Sequence, residues 1–180
     1  MERVLEPAEL KSSLEILLGL STMTLATTGP DGEAHAADVY FASDAQLTLF
    51  FFSAAESQHG SDIHREPRAA ATIHAARDQW EQILGLQMRG NCSEISAPAV
   101  WQQAWDVYLA KFPFVSDLEE VIKVNQLYGF TPKWIRLVDN NQGFGYKQEW
   151  QLNEAVIGGE KVRQWALYSI QGRESGRANG

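Results

Sequence analysis

The chain has 180 residues, room for one compact domain with a sizeable core. Its 15 basic and 23 acidic residues give a net charge of −8, and no Lys/Arg cluster or stripe occurs, which argues against binding nucleic acid or an anionic membrane. A single cysteine, Cys92, rules out an intramolecular disulfide, and neither a signal peptide nor a bilayer-spanning apolar run is present, so a cytoplasmic protein is expected.

Pro7 suits the first turn of a helix running to about Leu18, with Leu10, Leu14, Leu17 and Leu18 on one face and Gly19 as its stop. That helix is expected to plug one end of a barrel. Thr22 to Thr27 reads as a strand, Gly29-Pro30-Asp31-Gly32 as a turn, and Ala34 to Ala42 as the returning strand. A third strand, Gln46 to Ser53, ends in Phe50-Phe51-Phe52, which is apolar on both faces, so one face must meet something besides the barrel interior. A polar corner, Ser53 to Gly60, leads into a short helix that stops near Glu66, before Pro67. Arg68 to Ala75 and Ile83 to Ile95 read as further strands. In the second of these Leu84, Leu86 and Met88 alternate with polar or small residues, and Cys92 falls on the apolar side as a small buried residue.

Ser96-Ala97-Pro98 opens a helix carrying Val100, Trp101, Ala104, Trp105 and Tyr108, which Phe112-Pro113 ends. Ser116-Asp117-Leu118-Glu119 matches a capping box and predicts another helix, burying Leu118, Val121, Ile122 and Leu127. Thr131 to Val138 and Phe144 to Leu152 read as strands joined by a turn at residues 139–143. Residues 155–171 fit either helix or strand, and the Gly-, Ser- and Arg-rich stretch from Gly172 to Gly180 reads as disordered. Six Trp, eight Phe and five Tyr carry enough ring surface for a core and a subunit interface, which points to dimerisation.

The order of strand, small polar corner, Ser57-Gln58-His59-Gly60-Ser61-Asp62-Ile63, Arg65-Glu66-Pro67-Arg68 and Leu84-Gly85-Leu86-Gln87-Met88-Arg89-Gly90 resembles the pyridoxamine 5'-phosphate oxidase-like family of FMN-binding split barrels. Trp134-Ile135-Arg136-Leu137, Asp139-Asn140 and Gly143-Phe144-Gly145-Tyr146-Lys147 are similar to a small bacterial branch of it. The resemblance spans residues 14–150. It implies a mainly β (α+β) fold, a six- to seven-stranded antiparallel split β-barrel with flanking helices over residues 1–154 and a C-terminal extension over 155–180. It further implies a homodimer with FMN at the subunit interface, acting as an oxidoreductase on a small-molecule substrate.

By the same resemblance Val39-Tyr40-Phe41 offers the strand beside the flavin ring, with Trp80 and Gln87 of a partner subunit completing the slot. Ser53, Ser57, Gln58 and His59 form the phosphate corner, with Arg89 and Lys147 as further cations. The family grips the phosphate with an Arg-Lys pair where this chain has Gln58-His59, and with an Arg and a Lys on the preceding strand where it has Ala37 and Ala42. The Arg-x-His-Asp-Arg stretch that holds the vitamin B6 phosphate is Phe144 to Gln148 here, which disfavours that substrate. The alternative is a non-catalytic ligand-binding or sequestering barrel that takes haem or a deazaflavin, or has an empty cleft, and a bare interaction module is a third reading. No metal-ligand spacing links His35, His59, His64 and His74, and no nucleophile elbow, Walker loop or dinucleotide fingerprint occurs.

Overall fold

The computed structural model describes residues 7–157 and 160–166. The expected tail from Gly172 to Gly180 lies outside them. Four helices, α1 (Pro7–Leu18), α2 (Gln58–Arg65), α3 (Pro98–Lys111) and α4 (Glu119–Ile122), flank nine strands: β1 (Thr22–Thr28), β2 (Ala34–Tyr40), β3 (Ala42–Ser43), β4 (Leu49–Ser53), β5 (Arg68–His74), β6 (Leu84–Glu94), β7 (Gln126–Asp139), β8 (Lys147–Ile157) and β9 (Glu160–Ala166). All pairings are antiparallel, in the order β2-β1-β5-β6-β7-β4-β3, with β8 added to β7 and β9 to β8.

The two ends of that path are one stretch of chain. β2 borders one edge and β3 the other, and only Phe41 separates them. The sheet therefore curls until its edges meet, which is the split-barrel architecture. Phe41 is fully buried, and its backbone N–H donates to Ser21 O at 3.1 Å. Leu14 and Leu17 of α1 enter the same core as Met23, Leu25, Phe51, Leu86, Phe130 and Trp150, so α1 closes one end as its apolar stripe suggested. Phe51 lies in this core, whereas Phe50 packs on Ala104 and Leu127, and Phe52 on Trp101 and Trp105. The second apolar face of that strand thus meets α3.

The barrel splits on β7. Residues Gln126 to Phe130 pair with β4, whereas Trp134 to Val138 pair with β8. Pro132 stands between the halves, where its missing N–H breaks the ladder. Opposite it the β6 register shifts between Arg89 and Gly90, so that Lys133 is the extra residue of a bulge. A Cβ on Gly90 would lie 2.1 Å from Thr131 O and 2.7 Å from Pro132 Cα. Only glycine lets the two backbones approach this closely.

Several boundaries differ from the sequence expectation. The returning strand breaks at Phe41, and β9 adds a strand from the segment that read ambiguously, giving nine strands among the described residues rather than six or seven. β4 starts at Leu49, not Gln46, because the Asp44 carboxylate accepts from the N–H groups of Gln46 and Thr48 and holds a turn there. The capping box does not form. Pro113 starts a 3-10 helix through Leu118, and Ser116 Oγ donates to Pro113 O instead of capping α4. Leu127 belongs to β7, which begins five residues earlier than expected.

Helix α2 is tied to the barrel by Asp62, which is 1% exposed. Thr27 Oγ1 on β1 donates to its Oδ2 at 2.8 Å, His35 Nδ1 on β2 lies 2.7 Å from the same oxygen, and Gln58 Nε2 donates to Oδ1 at 3.1 Å. Burial alone would raise this carboxyl, but the hydrogen bonds from His35, Thr27 and Gln58 outweigh it and hold Asp62 below the usual carboxylate range. With the folded value depressed, the contribution is present above the unfolded value of about 4 and is lost as pH falls below that and through the lower folded value.

Two outcomes follow for denaturant unfolding. Gly90→Ala lowers stability by about 1–3 kcal/mol through the backbone clash at the bulge. Asp62→Asn costs about 2–3 kcal/mol at pH 7, and the gap between wild type and variant narrows as pH falls below about 4; a gap independent of pH contradicts the anchoring role.

Candidate functional site

Between β2, the end of β4, the start of α2 and the outer helices lies a cleft of ≈ 490 Å³, within the range of about 300–1,000 Å³ usual for small-molecule sites. Val39, Tyr40 and Phe52 form one side, and Tyr108, Phe114, Val115 and Ile122 the other. Its polar groups are Asp38, Ser53, His59 and Asn125.

The polar corner follows from local chain geometry. Ser57 is the N-cap of α2, and its Oγ accepts from Gly60 N–H at 3.1 Å. A Cβ on Gly60 would fall 2.8 Å from Ala55 O, so a side chain there would push the helix start off the corner. Ser53 Oγ at the end of β4 lies 3.2 Å from Ser57 Oγ and 2.7 Å from His59 Nε2. The His59 ring also leans on Phe51 at 6.2 Å. Partial burial lowers the His59 pKa, against a smaller opposing pull from the Asp62 carboxylate, and so favours the neutral imidazole.

The aromatic wall is built by α3. Tyr108 meets Phe52 edge-on at 5.1 Å, and its hydroxyl donates to Tyr40 O at 3.4 Å. Burial pushes the Tyr108 phenol up to about 12, so it stays a hydrogen-bond donor. Behind the cleft, Lys111 Nζ donates to Leu18 O at 2.8 Å and Leu20 O at 2.6 Å and lies 3.7 Å from the Phe41 ring centroid. Burial pushes this ammonium down to about 8. It ties α3 to α1 and to the barrel closure.

Of the residues expected at a cofactor site, Val39, Tyr40, Ser53 and His59 converge on this cleft, and Ser57 supports it through Ser53. Phe41 lies in the core, and Gln58 turns its amide to Asp62. Gln87 is on the outer face of β6, where Arg136 Nη1 reaches it at 3.3 Å. Lys147 is exposed at the start of β8. Arg89 stacks on Trp134, 4.0 Å from the ring centroid, and lines a separate groove of ≈ 840 Å³ with Arg68 and Lys133. Trp80 is half exposed and packs edge-on against Phe144, 85% exposed, at 5.3 Å.

Sequence reasoning did not assign Tyr108, Phe114, Asn125 or Asp38 to the site. Tyr108 was legible only as helix stripe, since nothing local says that α3 lies against Tyr40. Cys92 is fully buried, and burial pushes its thiol up to about 12, as befits a packing residue. Among the described residues no group of three or more His, Cys, Asp or Glu side chains could hold a metal ion, and no helix is long and apolar enough to cross a membrane.

The fit to FMN divides by part of the ligand. A planar ring suits the walls of Val39, Tyr40, Phe52 and Tyr108. A phosphate dianion suits the corner less well: among the described residues no lysine or arginine lines the cleft, burial disfavours a charged His59, and the carboxylate of Asp38 is one of the cleft's polar groups.

The chain is 28% identical over 123 residues to a UPF0306 protein of Yersinia pseudotuberculosis, covering 65% of this chain and 76% of that one. Its fold is shared with a conserved hypothetical protein of Mycobacterium tuberculosis, at TM-score 0.64, 18% identity and coverage of 79% and 91%. It is shared also with a heme binding protein of Mycobacterium smegmatis, at TM-score 0.66, 16% identity and coverage of 82% and 60%. Residues 10–139 match the sequence profile of pyridoxamine 5'-phosphate oxidase, a span running from α1 to the end of β7. A match of that extent, on a barrel closed as this one is, makes the chain a member of the pyridoxamine 5'-phosphate oxidase family.

Proposed function

We propose that this protein binds a flavin ring in the cleft between Tyr40 and Tyr108 and serves as an oxidoreductase for a small molecule. The observation that carries the reading is the convergence of Val39, Tyr40, Ser53 and His59, from three separate elements, on one cleft walled by aromatic side chains. A bound flavin would supply the redox chemistry. The chain's own groups bind and orient the ring: apolar walls exclude water, and Tyr108, Ser53 and Asn125 present hydrogen-bonding atoms at its margin.

A homodimer belongs to the same proposal. Trp80, Ile83 and Phe144 expose apolar surface at one end of β6 and β7, and a partner seated there would cover it. A second reading, haem binding, is favoured by His59, the one imidazole lining the cleft, and by the shared fold of the mycobacterial heme binding protein. It requires Nε2 to leave Ser53. A Soret band on haemin titration that disappears in His59→Ala would favour it over the flavin.

Riboflavin titration followed by quenching of flavin fluorescence tests the leading reading. Saturable binding is expected, weakened about 3- to 10-fold in Tyr40→Ala by loss of the ring contact; a folded protein that quenches no flavin fails it. Light scattering on a sizing column is expected to give twice the 20.1 kDa chain mass. Phe144→Asp is expected to shift the dimer toward monomer, and a wild type that elutes as a monomer at all concentrations contradicts the dimer.

A further inference from the structure

We infer that the cleft discriminates against a phosphate dianion, so that of two flavins differing only in the terminal phosphate it prefers riboflavin to FMN. This rests on the flavin reading above and concerns the charge of the ligand's tail rather than its ring.

The discrimination is electrostatic. Asp38 lines the cleft from β2, and it is held there by Thr24 Oγ1, which donates to its Oδ1 at 2.5 Å. No lysine or arginine among the described residues lines the cleft. The cations of the surrounding elements are engaged elsewhere. On α3, Lys111 is bound to the carbonyls of Leu18 and Leu20. Beyond α4, Lys123 pairs with Glu119 and lies over the rings of Trp101 and Trp105. On α2, Arg65 donates to Thr28 O, and His64 bridges Gly60 O and Glu94.

The hydroxyls of the polar corner are neutral, so they can hydrogen-bond a phosphate but do not offset its charge. Ser57 Oγ accepts from Gly60 N–H and faces Ser53 Oγ, which in turn is bonded to His59. An incoming dianion therefore meets one carboxylate and no opposing charge, and a tail of hydroxyl groups meets no such penalty. Arginine and lysine line instead the groove of Arg68, Arg89 and Lys133 on the outer face of β5 to β7, where Glu66 pairs with Arg68.

The test is a paired titration of the full chain with riboflavin and with FMN at pH 7.5 and low salt, read by quenching of flavin fluorescence, then repeated with Asp38→Asn. Riboflavin is expected to bind about 3- to 10-fold more tightly than FMN, and the ratio is expected to close toward unity in Asp38→Asn and at high salt. FMN binding equal to or tighter than riboflavin overturns the inference while leaving the flavin reading intact. A ratio unchanged in Asp38→Asn overturns the assignment of the discrimination to that carboxylate. Failure of both flavins to bind overturns the flavin reading and this inference with it.

Discussion

The rest of the structure depends on the passage of the chain through Phe41. β2 and β3 border opposite edges of the sheet yet are consecutive in sequence, so burying this one ring brings the edges together and sets the curvature of every strand between them. Closure of a sheet onto itself removes exposed edges and encloses a core. Lys111 lies against the outer side of the same ring and reaches the carbonyls that follow α1. One contact thus couples the barrel closure, the end plug and the helix that walls the cleft.

The cleft is a consequence of that closure. β2 and β4 run toward it from the two edges, and Phe52, the outward-facing ring of β4, draws Trp101, Trp105 and Tyr108 of α3 over the seam. Asp62 fixes α2 against β1 and β2 and so places Ser57 and His59 at the seam's polar end. The result is an aromatic slot with a hydroxyl–imidazole corner and little positive charge. Family membership accounts for the scaffold, but the charge of the corner belongs to this chain's own residues, and it is there that ligand choice is decided.

Much of this was legible in the sequence, for identifiable reasons. The alternation in Leu84 to Met88 and the helical stripe of Leu10 to Leu18 report burial directly, and the triple phenylalanine announced a two-sided strand. What was missed depends on tertiary context. Ser116 and Glu119 have the spacing of a capping box, yet the Pro113 turn uses the serine first. Leu127 fits a helical stripe as well as a strand, and pairing with Phe52 decides for the strand. At the site, Ser53, Ser57 and His59 could be found because they are close in sequence. Asp38 and Tyr108 could not, since 70 residues separate two positions that line one cleft only after the barrel has closed.

The most direct test of the central claim is a crystal structure of the protein soaked with riboflavin. Density is expected for the ring between Tyr40 and Tyr108, with the ribityl tail lying in the part of the cleft that Asp38 lines. Density for the ring in the groove between Arg89 and Lys133, with the aromatic cleft left to solvent, would contradict it.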